Sequence, residues 1–347
     1  MSSNPAGNLP ECLVRDIDDQ ITNCDEFDCY SDYPFCSSIA GTDHAAYIYG
    51  PHLVCRIKNN KASYASRYHV MNTKHHTFVK TRYDKFKDYL ESTLTTYKLP
   101  DCRFFVGLHD NVVTSVPTFS VYRHHSNNNL LTVPEYKYLN DLSSFEVSES
   151  VPEFAESIPK FFFRGAVKEN NWRELGQAPR NLMRRALFNL TERNLEIYDM
   201  WQTAASGSSN MIPMNEFGKY AFIINVRGVG PWADRHPFIL GQKSVVVNIV
   251  SEIYGQGKFF WEPLSKSGVT HLDVKYPMPD GEKWSLNDRQ VELLDSRLSS
   301  IHSDFTSNIE KYTDIANAGM QLYNDIARLD RFAYLAHFIE RYSERFS

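Results

Sequence analysis

The chain has 347 residues, with 37 Lys+Arg against 42 Asp+Glu and 14% aromatic side chains; at roughly 150 residues per domain this is about two domains, each able to bury a core. A net charge of −5 offers no basic footprint for nucleic acid, and no run approaches the ~18 apolar residues that cross a bilayer. The expected class is a soluble globular protein, a monomer, and the start of the chain shows neither the basic nor the apolar region of a signal peptide.

Residues 1–43 carry nine acidic residues (Glu11, Asp16, Asp18, Asp19, Asp25, Glu26, Asp28, Asp32, Asp43) and one basic residue, Arg15. All six cysteines (Cys12, Cys24, Cys29, Cys36, Cys55, Cys102) precede residue 103. Such clustering in a loop-rich segment leads to an expectation of three N-terminal disulfides, with free thiols or a metal as alternatives; the spacings lack paired C-x2-C knuckles. With the sequon Asn189-Leu190-Thr191, this points to a secretory lumen, or to the cytoplasm if the cysteines are reduced. Asp16-Ile17-Asp18 has the form of a divalent-ion D-x-D, but in an acidic leader it also reads as a solvated run.

Residues 56–104 reverse the charge, with eleven Lys/Arg against four Asp/Glu. The doublets His75-His76 and His124-His125 are poor chelates, because adjacent residues diverge on strand and helix alike. Arg103–Leu108 reads as a buried strand ending at His109-Asp110, and Pro117–Tyr122 as another. Asn140 to Pro159, rich in Ser, Glu and Pro, is the candidate linker.

Beyond it, strand and helix signals alternate, which predicts a parallel α/β domain. Lys160–Arg164 is a strand followed by Gly165, and a helix covers about Arg180 to Leu190. Tyr220–Val226 and Ser244–Val250 are further strands, the latter β-branched enough to be buried on both faces. From Val291 onward apolar residues recur every three or four positions, so the tail is expected to be helical, with a break near Gly319.

Chemistry concentrates in Asn225-Val-Arg-Gly-Val-Gly-Pro-Trp-Ala-Asp-Arg235. A strand, two glycines, then Asp234 and Arg235 opening a helix can cradle a pyrophosphate, though a G-x-G after a strand is also an ordinary turn. Arg164 and Arg180 add cations at the same sheet edge, each of which taken singly also reads as a surface ion-pair residue. Asp110, closing a strand, is either a turn or N-cap residue or a base that could deprotonate a hydroxyl.

Taken together, Phe162-Phe-Arg-Gly165, Arg180, Lys219-Tyr220, Asn225–Gly230, Arg235, Lys243-Ser-Val-Val246, Phe259-Phe-Trp-Glu-Pro-Leu264 and His271 resemble glycosyltransferase family 90, which holds protein O-glucosyltransferases and capsule-associated xylosyltransferases. The resemblance is collinear over about residues 101–275. It implies a GT-B fold of the α/β class, two Rossmann-like domains facing across a cleft: residues 1–155 on the acceptor side, 156–325 for the UDP-sugar, and 326–347 as a helix packing back on the first domain.

It also implies inverting, metal-independent transfer from UDP-xylose or UDP-glucose to a glycan or protein hydroxyl, with no cofactor. Leu108-His109-Asp110 before Pro117-Thr-Phe-Ser120 matches the family's base segment and makes Asp110 the expected base. Arg180 and Arg235 match arginines on the UDP, and Arg164, Gly165, Arg227, Gly228, Val229, Gly230 and Trp232 complete the implied donor site. The sequence departs from the family at Ala166, where serine is common, and across Gly230–Asp234. A non-catalytic glycan- or protein-binding descendant of the fold is the alternative; kinase or NAD chemistry lacks its glycine motifs.

Overall fold

The structure is a computed structural model that describes residues 4–24, 48–49, 52–67, 73–108, 113–114, 116–123, 128–134, 151–167, 177–203, 210–226, 235–251, 258–276 and 288–346. It forms two compact units. The first gathers Met1–Leu139, Gly257–Leu264 and Leu329–Ser347; the second holds Asn140–Gln256 and Ser265–Arg328. The chain is thus mixed α/β with a helical C-terminal segment, and no described helix is long and apolar enough to cross a membrane.

In the first unit, α1 (Glu11–Thr22) precedes β1 (Ile48–Tyr49), β2 (His52–Lys58) and β3 (Lys61–Arg67). The long helix α2 (Thr73–Thr96) leads to β4 (Cys102–Gly107), β5 (Val113–Thr114), β6 (Thr118–Ser120) and β7 (Leu130–Thr132). Five strands form one sheet in the order β3-β2-β4-β6-β7, and β1 pairs separately with β5. β2 runs antiparallel to β3 and β4, whereas β4, β6 and β7 are parallel.

The β2–β3 hairpin turns on Asn59 and Asn60, both at positive φ (51° and 58°), as a two-residue turn matching strand twist requires. Asn60 also braces the turn from within, accepting from the Leu99 amide at 2.9 Å and donating to the Leu94 carbonyl at 3.0 Å. Phe119 is the aromatic hub of this unit. It stacks on Phe104 at 4.7 Å and meets Phe338 and Tyr342 of the C-terminal helix (Arg331–Phe346) edge-on.

Leu13, Ile17 and Ile21 bury one stripe of α1, so Asp16 and Asp18 point to different partners. Asp16 lies 3.5 Å from Arg123 and Asp18 2.6 Å from Arg341. Neither the divalent-ion reading nor a merely solvated run describes them. Among the described residues no three or more His, Cys, Asp or Glu gather as metal ligands. His75-His76 and His124-His125 lie outside the described side chains.

The three expected disulfides are not found among the described residues: Cys12, Cys24, Cys55 and Cys102 form none. Cys24 Sγ instead donates to the Asn128 carbonyl at 3.1 Å. Cys55 and Cys102 lie within the sheet, where β2 and β4 are already joined by their ladder, so a bridge would add little closure. Burial and the adjacent Cys102 push the Cys55 thiol well above its usual range, making it a packing residue. Cys29 and Cys36 lie outside the described residues.

In the second unit the order is β8 (Ile158–Gly165), α3 (Gln177–Arg193), β9 (Tyr198–Gln202), β10 (Tyr220–Val226) and α4 (His236–Leu240). Then follow β11 (Val245–Ser251), β12 (Leu272–Tyr276), α5 (Asp288–Ser307) and α6 (Ile309–Arg328). All five strands are parallel, in the order β12-β11-β10-β8-β9. Every residue of β10 is buried, which is why its sequence runs apolar without alternation. Phe222 anchors the core, stacked on Phe161 at 4.6 Å and meeting Phe305 and Tyr312 edge-on.

The helical tail does not break at Gly319, which lies inside α6; the helices end at Ser307 and Arg328. A Cβ on Gly319 would stand 2.9 Å from the Thr270 carbonyl oxygen, so this glycine permits close packing. The sequon is likewise committed to the fold. Thr191 is fully buried in α3, and its hydroxyl accepts the Met200 amide at 2.9 Å.

Gly218 before β10 is equally constrained, since an added Cβ would fall 2.2 Å from the Gln242 carbonyl oxygen and 2.7 Å from Val151 Cγ1. Gly218→Ala must shift backbone and is expected to cost about 1–3 kcal/mol. The measurement is a lowered urea midpoint at unchanged denaturant slope.

Candidate functional site

The strand order of the second unit contains a reversal. From β8 the chain goes to β9 on one side, then returns past β8 to lay down β10, β11 and β12 in succession on the other. In open parallel sheets ligands bind beyond the carboxyl ends of the strands at such a reversal, where consecutive loops diverge and leave a crevice. Here that point lies between the ends of β8 (Arg164, Gly165) and β10 (Asn225, Val226).

Arg235, immediately before α4, spans it. Its Nη1 donates to the Arg164 carbonyl at 3.1 Å and its Nη2 to the Ile224 carbonyl at 3.3 Å, so one guanidinium joins both strands. The Phe163 ring packs against the guanidinium at 4.8 Å. A second arginine, Arg184 on α3, donates to the Ala166 carbonyl at 2.5 Å and lies 5.8 Å from the same ring. Arg180 lies one turn earlier in α3.

Arg164 turns the other way. Its Nη2 meets Asp199 Oδ1 at 2.8 Å, Nη1 the Asp199 and Phe163 carbonyls, and Nε the Asn210 carbonyl. Asp199 also accepts from the Tyr220 hydroxyl at 2.5 Å. Burial and that bond to a carboxylate push the tyrosine up to about 12. Gly165 closes β8, and its carbonyl accepts the Thr203 amide.

A buried polar row crosses the sheet behind Arg235. Asn225, Asn248 and Asp273 are direct neighbours in the register of β10, β11 and β12. Asn225 Nδ2 donates to Asn248 Oδ1 at 2.9 Å, and Asn248 Nδ2 to Asp273 Oδ1 at 3.1 Å. His271 Nε2 lies 3.3 Å from the same carboxylate oxygen, its Nδ1 3.0 Å from Thr270 Oγ1. The His271 ring meets His236, the first residue of α4, edge-on at 6.1 Å.

The electrostatics follow from burial. Burial raises Asp273, but hydrogen bonds from His271, Asn248 and Ser267 and the His271 charge outweigh it, holding the carboxyl below its usual range. His236 is pushed down to about 3, first by burial and then by His271 and Arg235, so its ring is neutral at physiological pH. The row is therefore a carboxylate braced by one histidine and two amides, within one residue of an arginine that spans the crevice.

Of the expected site residues, Arg164, Gly165 and Arg235 meet at this edge, and Arg180 lies in the first turn of α3. Asp110, Arg227, Gly228, Val229, Gly230 and Trp232 lie outside the described residues. Arg184, Asn248, Asp273 and His236 were not singled out from sequence. The signal available was one asparagine in each of two apolar strands, YAFIINV and VVVNIVS, where a polar side chain has no water to turn to. No family model matches the chain, and no curated protein matches it.

Replacing Arg164 with Met leaves the Asp199 carboxylate without its cation, and this should cost about 3 kcal/mol of folding stability in urea denaturation. His236 makes stability depend on pH with a definite sign. Its folded value lies below the ordinary 6.5, so the neutral ring contributes fully above pH 6.5 and the contribution is lost as pH falls toward 3. Between pH 6.5 and 4.5, above the titration of Asp273, the wild type should lose about 2 kcal/mol more than His236→Asn. His337 is also depressed, but it is present in both proteins and cancels in the comparison.

Proposed function

We propose that the chain is an inverting glycosyltransferase that moves xylose or glucose from a UDP-sugar to a hydroxyl of a glycan or protein acceptor. The observation that carries this reading is Arg235. A guanidinium spans the strand-order reversal of a parallel sheet, at the position where the resemblance to family 90 calls for a diphosphate-binding arginine. The GT-B arrangement, two Rossmann-like domains across a cleft, is part of the same proposal.

In this reading Asp110 accepts the proton of the acceptor hydroxyl. The acceptor oxygen bonds to the anomeric carbon from the face opposite UDP as the bond from that carbon to the β-phosphate oxygen breaks. UDP leaves with the electron pair, and configuration inverts in one displacement. Arg235 offsets the charge growing on the diphosphate, the part a divalent ion plays in other transferases, which is why no metal is called for.

Calorimetry with UDP and a UDP-release assay with UDP-xylose and UDP-glucose test the proposal. Asp110→Asn should abolish transfer while keeping UDP affinity, and Arg235→Ala should weaken UDP by about tenfold to a hundredfold, as loss of a charged hydrogen bond does. UDP binding with no turnover of any donor would favour the non-catalytic descendant. Absence of UDP binding at millimolar concentration would sink the transferase reading and likewise favour the non-catalytic descendant.

A further inference from the structure

The polar row has a direction. An ionised carboxylate can only accept, so Asn248 must turn its Nδ2 toward Asp273 and leave Oδ1 facing β10. Asn225 must then present Nδ2 to that oxygen. The two polar atoms of a planar carboxamide diverge by about 120° from the same carbon, as sp² geometry demands, so Asn225 Oδ1 is turned away from the Asn248 oxygen that Nδ2 serves, at the end of β10 that borders the strand-order reversal. The side chain is 1% exposed, and Oδ1 has no hydrogen-bond partner among the described residues.

An acceptor in that state is costly, and nothing in strand chemistry asks for it. The neighbours of Asn225 are Ile224 and Val226, and an apolar residue would complete the run. Each bond of a chain that starts on a charge polarises the next, so the carboxylate of Asp273 makes Oδ1 a somewhat better acceptor than an isolated amide oxygen. His271 braces the same carboxylate oxygen as Asn248. The row therefore ends in a fixed, electron-rich acceptor in the same strand end that Arg235 grips through the Ile224 carbonyl.

We propose that Asn225 is a ligand contact, its Oδ1 taking a hydrogen bond from an N–H or O–H group of the bound nucleotide, with Asn248 and Asp273 as the positioning residues that fix its orientation. This rests on the reading of the site as a uridine-nucleotide site. The proposed donor is either the imide N–H of the base or the ribose 2′-hydroxyl. A site built around a buried acceptor rejects analogues that lack the matching donor much more strongly than it rewards the right one. A buried water on Oδ1 would satisfy the amide equally well but would confer no such discrimination.

The test is calorimetry on the full chain with UDP, 2′-deoxy-UDP and 3-methyl-UDP. The wild type is expected to bind one of the two analogues at least tenfold more weakly than UDP, which also identifies the donor. In Asn225→Ala, UDP should weaken tenfold or more and the gap between UDP and that analogue should close to within threefold; Asn225→Ser serves if the alanine variant does not fold. Asp273→Asn, which no longer dictates the amide orientation, should narrow the gap as well. Equal affinity of the wild type for all three nucleotides, or a gap that persists in both Asn225 variants, overturns the assignment of Asn225 alone. No UDP binding by the wild type overturns the nucleotide reading together with it.

Discussion

A parallel strand buried on both faces gives its side chains no access to bulk water, so each polar group on it must be answered by protein or by a bound ligand. β10 is such a strand, and most of what distinguishes the second unit follows from the asparagine near its end. Asn225 is answered by Asn248, Asn248 by Asp273, and Asp273 by His271, each from the next strand or the residues leading into it. The requirement reaches α6, whose Gly319 passes close enough to the Thr270 carbonyl that a methyl group would be excluded. It reaches α4 as well, where His236 is held neutral against His271. Desolvation sets the protonation state of His236, whereas at Asp273 the hydrogen bonds and the neighbouring charge overcome it.

The two arginines at the sheet edge show how similar residues acquire different work. Arg164 ends a strand, and Asp199 on the neighbouring β9 captures its charge in a nearly buried pair shared with Tyr220. Arg235, just before a helix, instead joins two strand ends by donating to the Arg164 and Ile224 carbonyls beside the Phe163 ring. A guanidinium facing a carboxylate is largely neutralised, so Arg164 has little charge left to offer an anion.

The parallel strands were legible in the sequence because burial on both faces leaves long β-branched and aromatic runs, as in 160–164, 220–226 and 244–250. The tail was legible as helix from its three-and-four spacing, but its breaks were not. Gly319 looked like a terminator, and only the approach of Thr270 from a distant part of the chain reveals a packing role. The disulfide expectation rested on the clustering of the cysteines near the start, which cannot register that Cys55 and Cys102 occupy a sheet already closed by its ladder. Arg235 was found because it follows a glycine pair after a strand. The Asn225–Asn248–Asp273 row was not, since lateral register between strands far apart in sequence carries no local signature. Asp199, which decides what Arg164 does, was invisible for the same reason.

Between β11 and β12 the chain leaves the second unit for the eight residues Gly257–Leu264 and then returns, and after α6 it leaves again for the C-terminal helix. Those eight residues are integral to the first unit: Lys258 pairs backbone to backbone with Arg123, and Phe260 packs on Tyr334. Neither unit is therefore a continuous stretch of polypeptide, and no single cut yields one intact. Such a chain cannot exchange one half as a cassette with another protein, so the two units are bound to be inherited, and to vary, as a single item of descent. On the ribosome the first unit has to wait for the last helix, and so for completion of the second, before its core can close.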